Sequence, residues 1–339
     1  MRSSVEGKQR THDHDLVSST RPAAGRPASD AGLRGPAAVA MAGAEMAVDL
    51  GRVGIWSREL RYNPDRGARA SAAAELEELG YTAVFIPDAG GDVLAEVEHL
   101  LDATQRIPVV TGVLNIWMQD AADVANRGAS LLSRFGSRFL LGLGASHAPL
   151  VDSAQRGPYT RPYSKMVSYL DALDAATTTV PVSDRMLAAL GPRMLSLART
   201  RTSGAHPYLV PPEHTAVARD ALGAGAILAP EQAVVLARSR QSGLEQARAF
   251  VASYLLLPNY VRNLRRLGFG DSDLSGSGSD RLVAALVAYG DEAAIASRVR
   301  AHHDAGADHV CVHVVGSGDG HETLPLAAWR RLAPALTST

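Results

Sequence analysis

Residues 138–149 read RFLLGLGASHAP and give the strongest indication of the fold. The first half is continuously apolar, which predicts a strand over 138–143 that is covered on both faces, as strands of parallel sheets are. Ser146 and His147 follow where this strand ends. The glycines superficially suggest a dinucleotide-binding loop, but no GxGxxG motif follows, and we reject that interpretation. The stretch therefore predicts a buried parallel strand with polar groups at its carboxyl end.

On both sides of this stretch, strand-like apolar runs alternate with segments of helical periodicity. Eight strands are expected, over residues 53–56, 82–86, 108–114, 138–143, 185–190, 205–210, part of 226–236, and 308–315. Two helices, at about 244–257 and 259–267, fall in a long interval after the seventh strand. A Gly/Ser-rich loop over 271–279 and a helix near 280–289 follow. Eight alternating units predict a single (β/α)₈ barrel domain of the TIM type over residues 50–339 rather than an open doubly wound sheet.

Composition narrows the classes of function. The 339-residue chain has 46% hydrophobic residues and a net charge of −1, which make nucleic acid and anionic membrane surfaces poor partners. The single cysteine, Cys311, excludes an intrachain disulfide and a cysteine-based zinc site, and it is expected to be buried and inert. A cytoplasmic location is expected. Residues 1–49 are rich in Ser, Arg, Pro, Gly and Ala and predict a disordered tail.

Reactive groups of a barrel enzyme lie at the carboxyl ends of its strands. Asp88 ends the second strand, and a carboxylate there moves a proton when an apolar pocket raises its pKa. The alternative is that Asp88 or Asp92 caps the next helix. His147, after the fourth strand, is a second candidate proton carrier, and its alternative is an ordinary solvated histidine.

Other strand ends suggest binding groups. Leu190, Gly191 and Pro192 lead from the fifth strand into a helix, where free backbone N–H groups suit a phosphate, although such turns are common. Polar side chains next to prolines follow the sixth and seventh strands: His206, Tyr208 and Glu231. Charged side chains that could contact an acidic cofactor tail, or only solvent, are Arg161, Lys165, Arg262, Arg265 and Arg266. No cluster of His and carboxylate ligands is evident, so no metal site is expected.

Taken together, these segments resemble the luciferase-like monooxygenase superfamily, and more narrowly its coenzyme F420-dependent oxidoreductases. The resemblance runs in order from about residue 50 to 335. Besides residues 138–149, it rests on FIPD at 85–88, TGVLNI at 111–116, ALGPRM at 189–194, GAHPYLV at 204–210, LAPEQ at 228–232 and LLPNY at 256–260.

The resemblance implies a barrel with a helical insertion after the seventh strand and a flavin or deazaflavin ring at its carboxyl-end mouth. A non-prolyl cis peptide that backs the ring would correspond to Gly112–Val113. Asp88 or His147 would exchange a proton, and Tyr208 and Glu231 would face the substrate. Relatives more often carry Glu than Asp at the position of Asp88. Residues expected to contact the cofactor are Trp56, Gly112, Val113, Gly144, Ser146, Leu190, Gly191, Pro192 and His206.

Three functions are therefore weighed. The first is hydride transfer between coenzyme F420 and a small organic substrate, with the segment near 240–279 closing over the site. The second is an FMN-dependent monooxygenase supplied by a separate flavin reductase. The third is a non-catalytic flavin- or deazaflavin-binding protein. Related barrels often pair, which makes a homodimer the expected assembly.

Overall fold

The strands of the barrel all pair in parallel. The structure, a computed structural model, describes residues 48–153, 158–316 and 323–338. The strands are β1 Val53–Trp56, β2 Val84–Ile86, β3 Val109–Thr111, β4 Leu114–Asn115, β5 Phe139–Gly144, β6 Arg185–Leu187, β7 Gly204–Ala205, β8 Ile227–Leu228, β9 Glu231–Leu236, β10 Val287–Gly290 and β11 Val310–Val314. Their neighbour order is β10-β9-β11-β1-β2-β3-β5-β6-β7-β8, and β4 continues β3 alongside β5.

The ring closes where β8 passes into β9. On one side Ala229 N donates to Ala205 O, so this stretch pairs with β7. On the other side Cys311 N donates to Pro230 O, so it also pairs with β11, which pairs with β1. The predicted (β/α)₈ barrel is confirmed, with β8 and β9 as two parts of its seventh strand.

Helices connect the strands and cover the outside of the ring. In chain order they are α1 Glu59–Tyr62, α2 Arg66–Glu78, α3 Val93–Asp102, α4 Ala121–Phe135, α5 Ala148–Ser153, α6 Pro162–Ala175, α7 Pro192–Arg201, α8 Pro212–Leu222, α9 Arg240–Tyr254, α10 Pro258–Arg266, α11 Asp271–Leu274, α12 Asp280–Leu286, α13 Glu292–Asp304 and α14 Leu326–Leu336.

Local sequence explains where many helices begin and end. Asp120 caps α4 by accepting hydrogen bonds from Ala122 N and Asp123 N, and Gly136 ends the helix with a φ of 58°. Asp92, one of the two aspartates considered as a cap, accepts from Ala95 N at the start of α3. Caps of this kind fix the point at which each helix leaves the loop near the barrel mouth.

Two sequence-based boundaries are wrong. The helix expected over 280–289 ends at Leu286, and Val287–Gly290 is a ninth parallel strand beside β9. Pairing with the exposed edge of β9 overrides the helical pattern here, because β7 is too short to cover that edge. The strand expected over 205–210 comprises only Gly204–Ala205, since Pro207 has no N–H to donate and Leu209 has a φ of 56°.

Three apolar clusters hold the domain together. One fills the barrel interior with side chains from alternate strand positions, among them Phe85, Leu140 and Cys311. A second lies between the strands and the outer helices. The third packs α9, α10 and α12 against β9 and β10. The predicted insertion after the seventh strand thus packs against β9 and β10.

The N-terminal prediction is largely untested by the structure. Of the expected disordered tail, residues 1–47 lie outside the described residues. Val48 is described and is buried beside Leu50 at the amino-terminal end of the barrel. The ordered domain therefore begins no later than Val48.

Candidate active site

The floor of the barrel mouth is formed where β1 and β3 end. The Trp56 indole N–H donates to Gly112 O over 2.6 Å, and the Gly112–Val113 peptide bond is cis. A Cβ on Gly112 would lie 3.0 Å from Phe85 Cβ and 3.2 Å from Trp56 Cδ1. Glycine at this position therefore allows the indole to lie against the peptide backbone.

Two glycines of β5 leave space for the neighbouring segment that contains Thr111 and Val113. A Cβ on Gly144 would lie 2.2 Å from Val113 Cγ2, and a Cβ on Gly142 would lie 2.0 Å from Thr111 O. The Val113 side chain thus occupies the space that Gly144 leaves open. Gly112, Val113 and Gly144, three of the residues expected to contact a cofactor, are brought together on one side of the mouth.

A buried carboxylate and imidazole lie on the opposite side. Glu231, at the start of β9, is fully buried, and its Oε1 lies 2.9 Å from Nδ1 of His313 on β11. Its Oε2 accepts from Leu209 N at 3.0 Å. The His313 ring lies 4.4 Å from the Trp56 ring. Because a buried carboxylate is costly unless its oxygens are paired, these bonds fix both side chains against the floor.

An aromatic cluster covers this floor from the side of the insertion. It comprises Trp56, His147, Tyr208, Phe250, Tyr254, Tyr260 and His313. The Tyr208 and Tyr254 hydroxyls lie 2.7 Å apart. Burial raises the pKa of Tyr254 to about 12 and that of Tyr208 well above its usual value, so both phenols stay neutral and are able to donate hydrogen bonds.

His147 contacts two residues of α10, one of which belongs to the aromatic cluster. Its Nδ1 lies 3.2 Å from Asn259 Oδ1, and its ring lies 5.3 Å from the Tyr260 ring. Burial lowers the pKa of His147, against the opposing effect of Asn259. The imidazole is therefore neutral at physiological pH and able to accept a proton. Ser146, just before it, has a φ of 57° and its carbonyl accepts from the Tyr159 hydroxyl.

Among the residues that the structure describes, Asp88 bonds to the loops after β2 and β4 and not to the aromatic cluster. Its Oδ1 accepts from Gly90 N, and its Oδ2 accepts from Asn115 N and Gln119 Nε2, each over 3.2 Å. The carboxylate thus ties the loop after β2 to the end of β4. Within the described residues it makes no hydrogen bond to His147, so the two expected proton carriers are not brought together.

The expected phosphate loop lies at the start of α7. Gly191 is its N-cap residue and Pro192 its first residue, while Leu190 O bonds to His214 Nε2 over 2.9 Å. Arg266 Nη1 lies 3.1 Å from the position of a Cβ on Gly191. Of the five basic residues considered for a cofactor tail, Arg266 is thus placed directly beside this loop.

His206 lies deeper than the other expected binding residues. Its ring stacks on Phe85 at 4.9 Å, and its Nδ1 bonds to Ala229 O over 2.6 Å. Burial lowers its pKa to about 4. Cys311, buried as expected, lies 3.9 Å away. His206 is therefore a neutral side chain of the barrel interior.

Several residues of the mouth were missed by sequence reasoning. His313 is two positions beyond Cys311, so strand alternation places both on the same, inward face. That signal was available in the sequence. Phe250, Tyr254 and Tyr260 lie on inserted helices, and their periodicity gives no information on which part of the barrel they cover.

No group of three or more His, Cys, Asp or Glu side chains suited to holding a metal ion occurs in the described part of the chain. Over the same residues, no helix has the length and apolar character needed to cross a membrane.

Comparison with known proteins identifies the family. Residues 57–309 match the family model of the luciferase-like monooxygenases. No curated protein matches the sequence. Among solved structures, an F420-dependent secondary alcohol dehydrogenase in complex with an F420–acetone adduct is similar with a TM-score of 0.62 and 13% identity, over 85% of this chain and 99% of that one.

Two further structures span the same fold. The coenzyme F420-dependent tetrahydromethanopterin reductase of Methanopyrus kandleri has a TM-score of 0.59 and 15% identity, covering 85% of this chain and 99% of its own. The oxygenating constituent of 3,6-diketocamphane monooxygenase of Pseudomonas putida, in complex with FMN, has a TM-score of 0.57 and 13% identity, covering 84% and 96%. Since the family model spans well over half of the sequence, the chain belongs to the luciferase-like monooxygenase family.

Proposed function

We propose that this chain is an oxidoreductase that uses coenzyme F420 and transfers a hydride between the deazaflavin ring and a small organic substrate. The observation that supports this best is the floor of the mouth, where the partly buried Val113 follows Gly112, whose carbonyl accepts from the Trp56 indole. An apolar side chain held in this way suits contact with a flat ring system. When bound, the cofactor supplies the hydride donor or acceptor, while the protein supplies orientation and charge.

The residues present fit such a cofactor at two places. On the floor, Trp56, Gly112 and Val113 would contact the ring, with Gly144 and Ser146 beside it. At the start of α7, Leu190, Gly191 and Pro192 with the nearby Arg266 would hold a phosphate, because helix N-termini and guanidinium groups both attract anions. His206, deep in the barrel, would act by supporting the floor through Phe85.

Proton exchange with the substrate is assigned to His147 or Asp88. Burial lowers the pKa of His147 and so keeps its ring unprotonated, which is the form that accepts a proton from an alcohol substrate. Tyr208 would face the substrate, held by Tyr254 and by the His313–Glu231 pair. The buried position of Glu231 favours a role in orienting His313 over direct contact with the substrate.

Two alternatives rest on specific observations. One similar structure is in complex with FMN, so an FMN-dependent monooxygenase with a separate reductase is the second candidate. Oxygen consumption separates it from the first, because deazaflavins activate oxygen poorly. The third candidate is a non-catalytic cofactor-binding protein, which the engagement of Asp88 in three hydrogen bonds favours.

The test is turnover with a panel of small alcohols and ketones, followed by the absorbance of F420 in both directions of hydride transfer. We expect His147→Ala or Asp88→Ala to reduce turnover about 10²-fold with little change in cofactor affinity. His99→Ala, on α3, is the matched control, since its ring only bonds to Arg66 O. Turnover unchanged in both variants would show that neither residue carries the proton.

A further inference from the structure

Two arginines at the mouth have hydrogen-bonding groups without partners. The Nε atoms of Arg58 and Arg61 are both buried and make no hydrogen bond to any part of the chain that the structure describes. Leaving a buried donor unpaired costs free energy, more so when the group is charged. Arg58 immediately follows Ser57 at the end of β1, and Arg61 is one helical turn further along in α1. Both therefore lie at the carboxyl-end edge of the barrel.

Both guanidinium groups lie near the ring of Tyr62. Their central carbons lie 5.9 Å and 5.0 Å from the ring centre of Tyr62. Arg61 Nη2 donates to Gly90 O over 2.8 Å, which fixes this side chain on the loop after β2. Burial raises the pKa of Tyr254, and the Arg58 charge opposes that rise, so this cation lies near the aromatic cluster.

Neither arginine has a carboxylate oxygen within 4.0 Å among the described residues, whereas Arg69, one turn into α2, pairs with Glu96 at 2.7 Å. The carboxylate of Asp88 is used by Gly90, Asn115 and Gln119. The pKa of Asp92 is lowered, against its burial, by Arg127 and to a smaller extent by Arg61, but Asp92 forms its salt bridge with Arg127, over 2.7 Å. A bound anion would therefore still be attracted by both guanidinium charges.

A third unpaired donor lies on the same loop system. Asn115 Nδ2 is buried without a partner, while its Oδ1 accepts from Trp117 N and so fixes the orientation of the amide. Asn115 N donates to one carboxylate oxygen of Asp88, and the other oxygen accepts from Gly90 N. The carbonyl of the same Gly90 accepts from Arg61 Nη2, so Asn115 and Arg61 are tied to one loop. The unpaired groups around this loop are all donors, which is the requirement of an acceptor-only ligand such as a carboxylate.

We infer that Arg58 and Arg61 bind a carboxylate group of the substrate, at the edge of the mouth formed by the loops after β1 and β2. The planar guanidinium fork matches a carboxylate in shape and charge. The neighbouring aromatic cluster suits an apolar body attached to that carboxylate. The substrate class is thus a small, partly apolar carboxylate, and this assignment of substrate rests on the proposed function.

The experiment is calorimetric titration of the full-length protein, without cofactor, with benzoate and with its neutral analogue benzamide. We expect benzoate to bind at least tenfold more tightly than benzamide, and Arg58→Gln or Arg61→Gln to remove this preference. Arg134→Gln is the matched control, because Arg134 also lies over an aromatic ring, that of Phe135 at 4.7 Å, but on α4. Arg58→Lys retains the charge without the fork and serves if Arg58→Gln does not fold.

The outcomes separate this inference from the proposed cofactor. Equal binding of benzoate and benzamide, or unchanged benzoate binding in both glutamine variants, would overturn it whether or not F420 binds. A second titration, of F420 into protein saturated with benzoate, identifies the source of the carboxylate. Unchanged F420 affinity supports the substrate, whereas competition would overturn that assignment and give the site to an acidic tail of the cofactor.

Discussion

Replacement of Glu231 by alanine tests the arrangement of the mouth most sharply. Glu231 is fully buried and accepts hydrogen bonds from two buried donors, Leu209 N at 3.0 Å and His313 Nδ1 at 2.9 Å. Each buried donor left without a partner costs about 1–3 kcal/mol. We therefore expect Glu231→Ala to lower the free energy of unfolding by about 2–6 kcal/mol, the sum of the two losses.

The assay is urea unfolding at neutral pH, followed by far-UV circular dichroism. Glu231→Gln retains an oxygen for one of the two donors, so its loss should be about half, roughly 1–3 kcal/mol. Glu245→Ala is the control, since Glu245 is exposed on α9 and accepts only from Gln241, and it should stay within about 0.5 kcal/mol of the parent. A Glu231→Ala protein as stable as the Glu245→Ala protein would refute the reasoning.

Two further predictions concern stability. Gly144→Ala should lower the free energy of unfolding by about 1–3 kcal/mol, because its Cβ would lie 2.2 Å from Val113 Cγ2 in a packed region, whereas Gly225→Ala, with open space around it, should have little effect in thermal denaturation. Burial lowers the pKa of His206 and His309 to about 4, below the value of about 6.5 in the unfolded chain. Between about pH 6.5 and 4 the unfolded state binds more protons, so the free energy of unfolding should fall as pH falls through this window. When that free energy is measured by urea unfolding at several pH values, it should depend less steeply on pH in His206→Asn than in the parent protein.

The fold could be predicted from the sequence where neighbouring residues determine the bounds of an element. The bounds of the helix Pro212–Leu222 follow from its own residues, because Pro suits the first turn and Gly223 ends the helix with a φ of 79°. Strand β10 could not be predicted from the sequence, because Val287 and Ala288 continue the apolar pattern of α12. Its strand conformation depends on the edge of β9, about 50 residues earlier in the chain.

For the candidate site, the sequence indicated positions but not partners. Strand-end reasoning singled out Asp88 and His147, which follow β2 and β5, whereas Glu231 begins β9 inside the seventh strand. The family resemblance correctly anticipated the cis bond at Gly112–Val113. Sequence reasoning gave no indication that Glu231 pairs with His313, some 80 residues later, or that Asp88 is occupied by Asn115 and Gln119. These pairings arise from barrel closure and loop packing, which local patterns do not encode.

The central claim, that the mouth holds a deazaflavin, is tested most directly by titrating the purified protein with coenzyme F420 and, in parallel, with FMN. Cofactor fluorescence and the shift in melting temperature report binding, since a ligand that binds only the folded state stabilises it. We predict preferential binding of F420, weakened by Trp56→Ala and by Arg266→Gln. Preferential binding of FMN would contradict the deazaflavin assignment in favour of the monooxygenase, and binding of neither would contradict the cofactor site as a whole.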